Sequence, residues 1–305
     1  MYEMCQYINS VKSAFPSLRL VVFTGGECTI DKKSLLKAIQ HASSLSMVTR
    51  IVTNGYWAEN ERLARNTVES LVSAGLSEIN FSTGDEHASF VPVETICRAV
   101  SICAEYKELK SVSVSIEHSA RQRITKDSII QSLPMEDLPS DAKNKILFFE
   151  SPWVNFRQTT GVFASQQVSR PVLQAGCTAV LDSVNINPNG QFLSCCGLSS
   201  EYSPFLKLGT VKCAEDVKSH HSARFNDILK LWLYTAGPYD IMKKLGIIPS
   251  NGSGHKCAYC HELLSRRENL LKLLNIDSEL VQSIITDYSI KVNLYEKRHT
   301  KTAHL

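Results

Sequence analysis

Four cysteines stand at spacings that suit a metal site: Cys177, then twelve residues, Gly190, four more residues and Cys195, and later a Cys257-x2-Cys260 pair. The intervening run Val184-Asn185-Ile186-Asn187-Pro188-Asn189-Gly190-Gln191-Phe192-Leu193 reads as a β-hairpin, with Asn-Gly supplying the tight turn. Such a hairpin brings Cys177 and Cys195 to one end, and a Cys-x2-Cys knuckle adds two thiolates. Four thiolates can ligate a 4Fe–4S cluster or one tetrahedral zinc ion. His255 and His261 flank the knuckle and keep zinc in play, since donor softness alone does not exclude it. Buried cysteines can also be plain small hydrophobes. Cys97 and Cys103 fit that description on a predicted helix, Cys213 has no partner at a recognisable spacing, and Cys196 adjoins Cys195.

A second constellation lies near the start, where the apolar run Leu18 to Phe23 ends in Thr24-Gly25-Gly26-Glu27. Paired glycines let backbone approach a ligand where a Cβ would block it. The carboxylate of Glu27 could accept hydrogen bonds from an ammonium group. Together they suit a small zwitterion.

The elements that must position these residues alternate. Strands are predicted at Leu18–Thr24, Thr49–Thr53, Glu78–Ser82, Ser111–His118 and Lys145–Glu150, with amphipathic helices at Lys32–Ser46, Asn60–Ala74, Pro92–Tyr106 and Lys126–Leu133. That order is the signature of a parallel α/β sheet. Asp31 and Asn60 read as helix N-caps and Gly75 as a C-cap. Every strand runs into polar or Gly-containing residues, the face where β/α barrels build their sites. Within Ser111–His118 the valines and Ile116 share one face, and Ser113, Ser115 and Glu117 share the other. One face is expected on helices, the other on a polar cavity. Residues 151–176 read as a connector, and the last third as helices at Ala223–Thr235, Asp240–Leu245, His261–Leu274 and Asp277–Ile290.

A chain of 305 residues holds ample core, and a net charge of +3 argues for neither nucleic acid nor a membrane surface. No run is long and apolar enough to span a bilayer. Glu3, Gln6, Asn9 and Lys12 interrupt any signal-peptide core. Ten cysteines in an apparently cytoplasmic chain favour metal or redox chemistry over disulfides. Lys291, Lys297, His299, Arg298, Lys301 and His304 read as a solvated basic tail.

Both constellations resemble the radical S-adenosylmethionine (SAM) enzymes. The Gly-Gly-Glu strand end is similar to the family's cradle for the methionine end of SAM. The spacing around Gly190 resembles its auxiliary iron–sulfur module, called SPASM or, in the shorter single-cluster form that fits better here, twitch. The resemblance implies an α/β fold: a partial (β/α) barrel over 1–165 lacking its first strand, a hairpin-plus-helical auxiliary-cluster domain over 166–265, and C-terminal helices with the basic tail over 266–305. It implies an oxidoreductase that abstracts hydrogen from a peptide or small organic substrate by a 5′-deoxyadenosyl radical. A reductant protein such as flavodoxin or ferredoxin would serve it.

Carried over residue by residue, Gly25, Gly26 and Glu27 would hold the SAM methionyl group, with Thr53, Asn54, Ser82, Ser115 and Glu117 lining the site. Asp85 and His87 are the candidates for orienting substrate or relaying a proton, and Arg157 for a carboxylate. Cys177, Cys195, Cys257 and Cys260 would hold the auxiliary 4Fe–4S cluster, with zinc the alternative. Two departures stand out. Cys28 occupies the position where the family commonly has proline, and the family's upstream Cys-x3-Cys-x2-Cys loop is missing, Cys5 and Cys28 being too far apart to imitate it. The expectation is a reading frame started late, or a fragment, unable alone to cleave SAM, with the catalytic 4Fe–4S cluster present only in a complete protein. The other expectation is a catalytically inactive relic, or a zinc or iron–sulfur module that binds a partner.

Overall fold

A computed structural model describes residues 2–118, 123–152, 173, 175–249 and 255–302. The chain divides into two compact units, Met1–Trp153 and Val154–Leu305. Most of the predicted connector at 151–176, Arg157 included, lies outside the described residues.

The first unit is a five-stranded parallel sheet. Its strands β1 (Leu20–Phe23), β2 (Val48–Thr53), β3 (Glu78–Gly84), β4 (Ser111–His118) and β5 (Ile146–Pro152) lie side by side in sequence order. Helices α1 (Tyr2–Ala14), α2 (Lys32–Ser44), α3 (Glu61–Ser73) and α4 (Val93–Glu105) agree with the apolar periodicity. Their ends follow the cap chemistry. Asp31 Oδ1 accepts Ser34 N at 3.1 Å, Asn60 Oδ1 accepts Leu63 N at 3.0 Å, and Gly75 turns the chain out of α3 at φ +99°.

Right-handed crossovers in a sequential sheet place the helices on one face. Burial agrees: Ile51, Ile79, Phe81, Val112, Val114 and Ile116 are each at most 1% exposed and share a core with Leu35, Ile39, Val68 and Ile96. The alternate face carries a polar stripe, with the Arg50–Glu78 ion pair, Asn80, Ser82, Ser113, Ser115 and Glu117. Exposed Leu20, Val22 and Val48 border it on the β1 side and Leu147 and Phe149 on the β5 side. Two faces of unlike polarity thus follow from strict alternation along β3 and β4.

In the second unit, β6 (Asn185–Ile186), β7 (Gln191–Leu193) and β8 (Lys207–Thr210) form an antiparallel sheet in that order. The expected Asn-Gly turn is there: Gly190 has φ +73°, and Asn187 Oδ1 accepts Asn189 N at 3.1 Å and Gln191 N at 3.0 Å. The helices differ from expectation in their breaks. The predicted helix over Ala223–Thr235 is a short 3-10 turn at Arg224–Asn226 followed by a helix over Ile228–Thr235, because Asp227 caps a new start by accepting Lys230 N at 3.2 Å. A further helix over Ala214–Ala223, not expected from the sequence, precedes it. Arg266 in extended backbone splits Lys256–Ser265 from Arg267–Leu274.

The final helix, Ser278–Thr302, buries Ile284 in the same core as Trp232, Leu233, Met242 and Leu263. Lys291 therefore belongs to a packed helix, not to a solvated tail: its Nζ donates to Tyr234 O at 2.6 Å. Fully buried Arg224 donates to Ser183 O at 2.7 Å and Val180 O at 3.2 Å and lies over the Phe192 ring. It ties the segment after Cys177 to the hairpin. No helix among the described residues is long and apolar enough to cross a membrane.

Candidate functional site

From β1 the chain turns through Thr24-Gly25-Gly26 into Glu27. Gly25 sits at φ +140°, where side-chain-bearing residues are strained. Gly26 has no such φ, and a Cβ built on it meets nothing within 4 Å. Neither backbone conformation nor internal packing requires glycine at 26. Its small size leaves the strand end open to an approaching group.

Glu27 is held firmly. Its Oε1 accepts Thr29 N at 3.0 Å, Thr29 Oγ1 at 2.6 Å and Thr53 Oγ1 at 2.8 Å, and its Oε2 accepts Asn54 N at 2.7 Å. The Thr53 hydroxyl also accepts Gly55 N at 3.1 Å and Trp57 Nε1 at 3.2 Å. With its proton given away and both lone pairs taken, Thr53 bears on a ligand only through Glu27. Asn54 acts on Glu27 by its backbone, while its Oδ1 accepts Tyr56 N at 3.1 Å. Thr29 was not foreseen; a threonine two residues after a carboxylate was its only signal. Oε2 keeps capacity for a further donor such as an ammonium. Cys28 is no reactive neighbour: burial, then the Glu27 charge, push its thiol up to about 12, and Sγ donates to Val52 O at 3.2 Å.

At the next strand ends, Gly84 and Glu117 are register partners, and a Cβ on Gly84 would meet Glu117 O at 2.2 Å. That close approach seats His87 Nδ1 3.0 Å from Glu117 Oε2. An imidazole and a carboxylate are thus set close together at the strand ends. Asp85 does structural work, its Oδ1 accepting Arg123 N and Ile124 N, each at 2.9 Å, so that residues 123–124 are pinned to the end of β3. Ser115 Oγ donates to Asn80 Oδ1 at 3.2 Å, and Ser82 is its register partner on the polar face. A second pair, His118 Nε2 and Glu150 Oε1 at 3.2 Å, went unforeseen. Register puts Glu150 beside Ile116, on the helix-covered face.

In the second unit the Cys-x2-Cys segment is helical rather than a loop knuckle. Cys257 and Cys260 lie in the first turns of Lys256–Ser265, three apart and so on one face. The helix starts there because His255 Nδ1 accepts Cys257 N at 3.1 Å. That commits one ring nitrogen of a candidate zinc ligand to capping. A Cβ on Gly197 would lie 3.1 Å from Cys257 Sγ and 3.6 Å from Cys195 Sγ, so those sulfurs are separated by no more than the two distances combined.

The thiols influence one another. Burial pushes Cys195 up to about 12; the Gly197 N–H pulls it down, and charge on Cys177, Cys257 and Cys196 pushes it up. Burial drives Cys260 well above the thiol range, reinforced by Cys195, Cys257 and Cys177 and eased by the Ser199 hydroxyl. Cys177 is raised by burial and lowered by Lys256 and by the N–H groups of Val180 and Ala179. The Ser194 and Ser199 hydroxyls are buried with no hydrogen bond of ordinary geometry among the described residues. Donors of this kind suit thiolate or sulfide acceptors. Among the described residues no group of three or more His, Cys, Asp or Glu is drawn in to hold a single ion. A cluster of iron and sulfide spaces its thiolates more widely than one tetrahedral ion does.

The sequence matches no protein-family model and no curated protein.

Proposed function

We propose that this protein belongs with the radical SAM enzymes and carries an auxiliary iron–sulfur site of the twitch or SPASM type. The observation that carries the reading is that Cys177, Cys195, Cys257 and Cys260 lie in one unit, with the Cys195 and Cys257 sulfurs both beside Gly197 and with N–H or hydroxyl donors near Cys177, Cys195 and Cys260. It is supported by the sequential parallel sheet, its polar open face and the unfilled space at Gly26.

The chemistry supplied by bound SAM and a reduced cluster would be hydrogen abstraction from a peptide or small organic substrate. Glu27, fixed by Thr29, Thr53 and Asn54, would bind the ammonium of the methionyl group through Oε2, with Gly25 and Gly26 giving the backbone clearance. Ser82 and Ser115 would line the polar face, and His87, beside Glu117, would take up or return a proton at its Nε2. The partners in this reading are the substrate and a flavodoxin- or ferredoxin-like reductant.

Anaerobic reconstitution with iron and sulfide, followed by equilibrium dialysis against SAM, tests both halves. Bound iron, sulfide and SAM are expected; a colourless chain with stoichiometric zinc would remove the iron–sulfur half. A second reading keeps binding without turnover, since the 305 residues contain no Cys-x3-Cys-x2-Cys. It expects no 5′-deoxyadenosine from the reconstituted chain, and detecting that product would sink it.

A further inference from the structure

Residue 176 is where two ammonium groups meet the cysteine site. Lys256 Nζ donates to Gly176 O at 3.1 Å. Lys291 Nζ donates to Tyr234 O at 2.6 Å, stands 4.3 Å above the Tyr234 ring centroid, and lies 2.8 Å from the Cβ position of Gly176. The glycine itself is demanded by backbone, because a Cβ there would meet Tyr234 O at 1.9 Å. The next residue is Cys177, whose N–H donates to Leu233 O at 2.8 Å. Two lysines, one from the helix bearing Cys257 and Cys260 and one from the final helix, are thereby anchored beside the first thiol of the set.

Among the described residues, ion pairing does not balance their charges. No salt bridge among the described residues uses either lysine. Asp182 faces Lys291 only at longer range. Each ammonium has three donors, so a backbone carbonyl leaves capacity for another acceptor. Partly buried cations without a carboxylate partner are costly unless a negative charge stands near. Four thiolates around an iron–sulfur core of charge +2 or +1 leave a net negative group, more negative after reduction.

We propose that Lys256 and Lys291 are charge-compensating positioning residues for an anionic metal–sulfur group at the four cysteines, and that they favour its reduced state. This rests on the iron–sulfur reading above. The step is a one-electron reduction of the group by an external low-potential donor; no bond forms or breaks, and the added charge is met by the two ammonium groups. The hydroxyl of Ser199, beside Cys260, adds a donor of the same sense.

The test is an EPR-monitored redox titration of the full chain, reconstituted anaerobically, with dithionite as electron donor. Lys256→Gln, Lys291→Gln, the double variant and Lys256→Arg are compared with wild type, with iron and sulfide measured on each. Each Gln variant is expected to keep its iron and lose about tenfold in preference for the reduced state, a shift of about 59 mV to more negative potential. The double variant should shift further, and Lys256→Arg should stay near wild type. Gln variants that lose the group while Lys256→Arg retains it would also support the charge role. Loaded variants with an unchanged potential overturn this proposal alone, as does loss of the group in the Arg and Gln variants alike. A wild-type chain that takes up no iron and sulfide overturns it together with the iron–sulfur reading.

Discussion

Glu27 shows how one carboxylate can be made rigid without being used up. Three N–H or O–H donors fall on Oε1 and one on Oε2, so the side chain is fixed while its second oxygen keeps capacity for another donor. Glu27→Ala should remove charge-assisted bonds to several donors and lower the unfolding free energy by about 2 kcal/mol in urea titrations. Gly26→Ala separates ligand space from fold. Having neither a positive φ nor a contact to lose, it should change stability by less than about 1 kcal/mol yet weaken SAM binding by about tenfold in dialysis. Equal SAM affinity in the two proteins would deny the cradle. The Gly-Gly-Glu motif was legible because its residue types announce themselves. The roles of Thr53 and Thr29 were not, since a saturated hydroxyl 26 positions away from Glu27 has no signature along the chain. The thiols make a pH prediction. Cys195 is raised from 9.0 to about 12 in the fold, so below pH 9.0 its contribution to the apo protein's stability is fully present. From there to about 12 the unfolded chain sheds protons that the fold retains, and stability is lost. Metal must displace those same protons, so metal affinity should rise between about pH 7 and pH 8.5 in competition titrations.

Strands carry the polar face, and their registers decide which side chains meet. Gly84 and Glu117 are adjacent because β3 and β4 pair in parallel without a slip, and His87 finds its carboxylate there. Gly84→Ala combines φ +143° with a 2.2 Å approach to Glu117 O. It should cost about 3 kcal/mol or more in thermal or urea unfolding, against the near-neutral change at Gly26. Strand and helix alternation in the first unit could be read directly, because each strand changes face every residue and α2, α3 and α4 begin at Asp31, Asn60 and Pro92. The second unit resisted, for physical reasons. Its helices are short, their starts depend on caps such as Asp227 and His255, and Arg266 interrupts an apolar pattern that runs on in sequence. Strand β8 contributes only four residues and pairs with β7 across an irregular register, too little to show as a period.

At the scale of the whole chain, each unit has a large core of its own. Ile51, Phe81 and Val114 centre the first unit beneath the Glu27 strand end, while Trp232, Leu263 and Ile284 centre the second around the cysteines. Metal binding should therefore raise the melting temperature of one calorimetric transition and leave a second near its apo value, because a group bound only by the folded second unit stabilises that unit. The central claim is that the four cysteines hold iron and sulfide, and quantification of iron, sulfide and zinc on the anaerobically reconstituted chain tests it most directly. The expected result is about four iron and four sulfide per chain, falling sharply in Cys177→Ala and Cys260→Ala. One zinc per chain with no sulfide, or iron uptake unchanged in both variants, would contradict it.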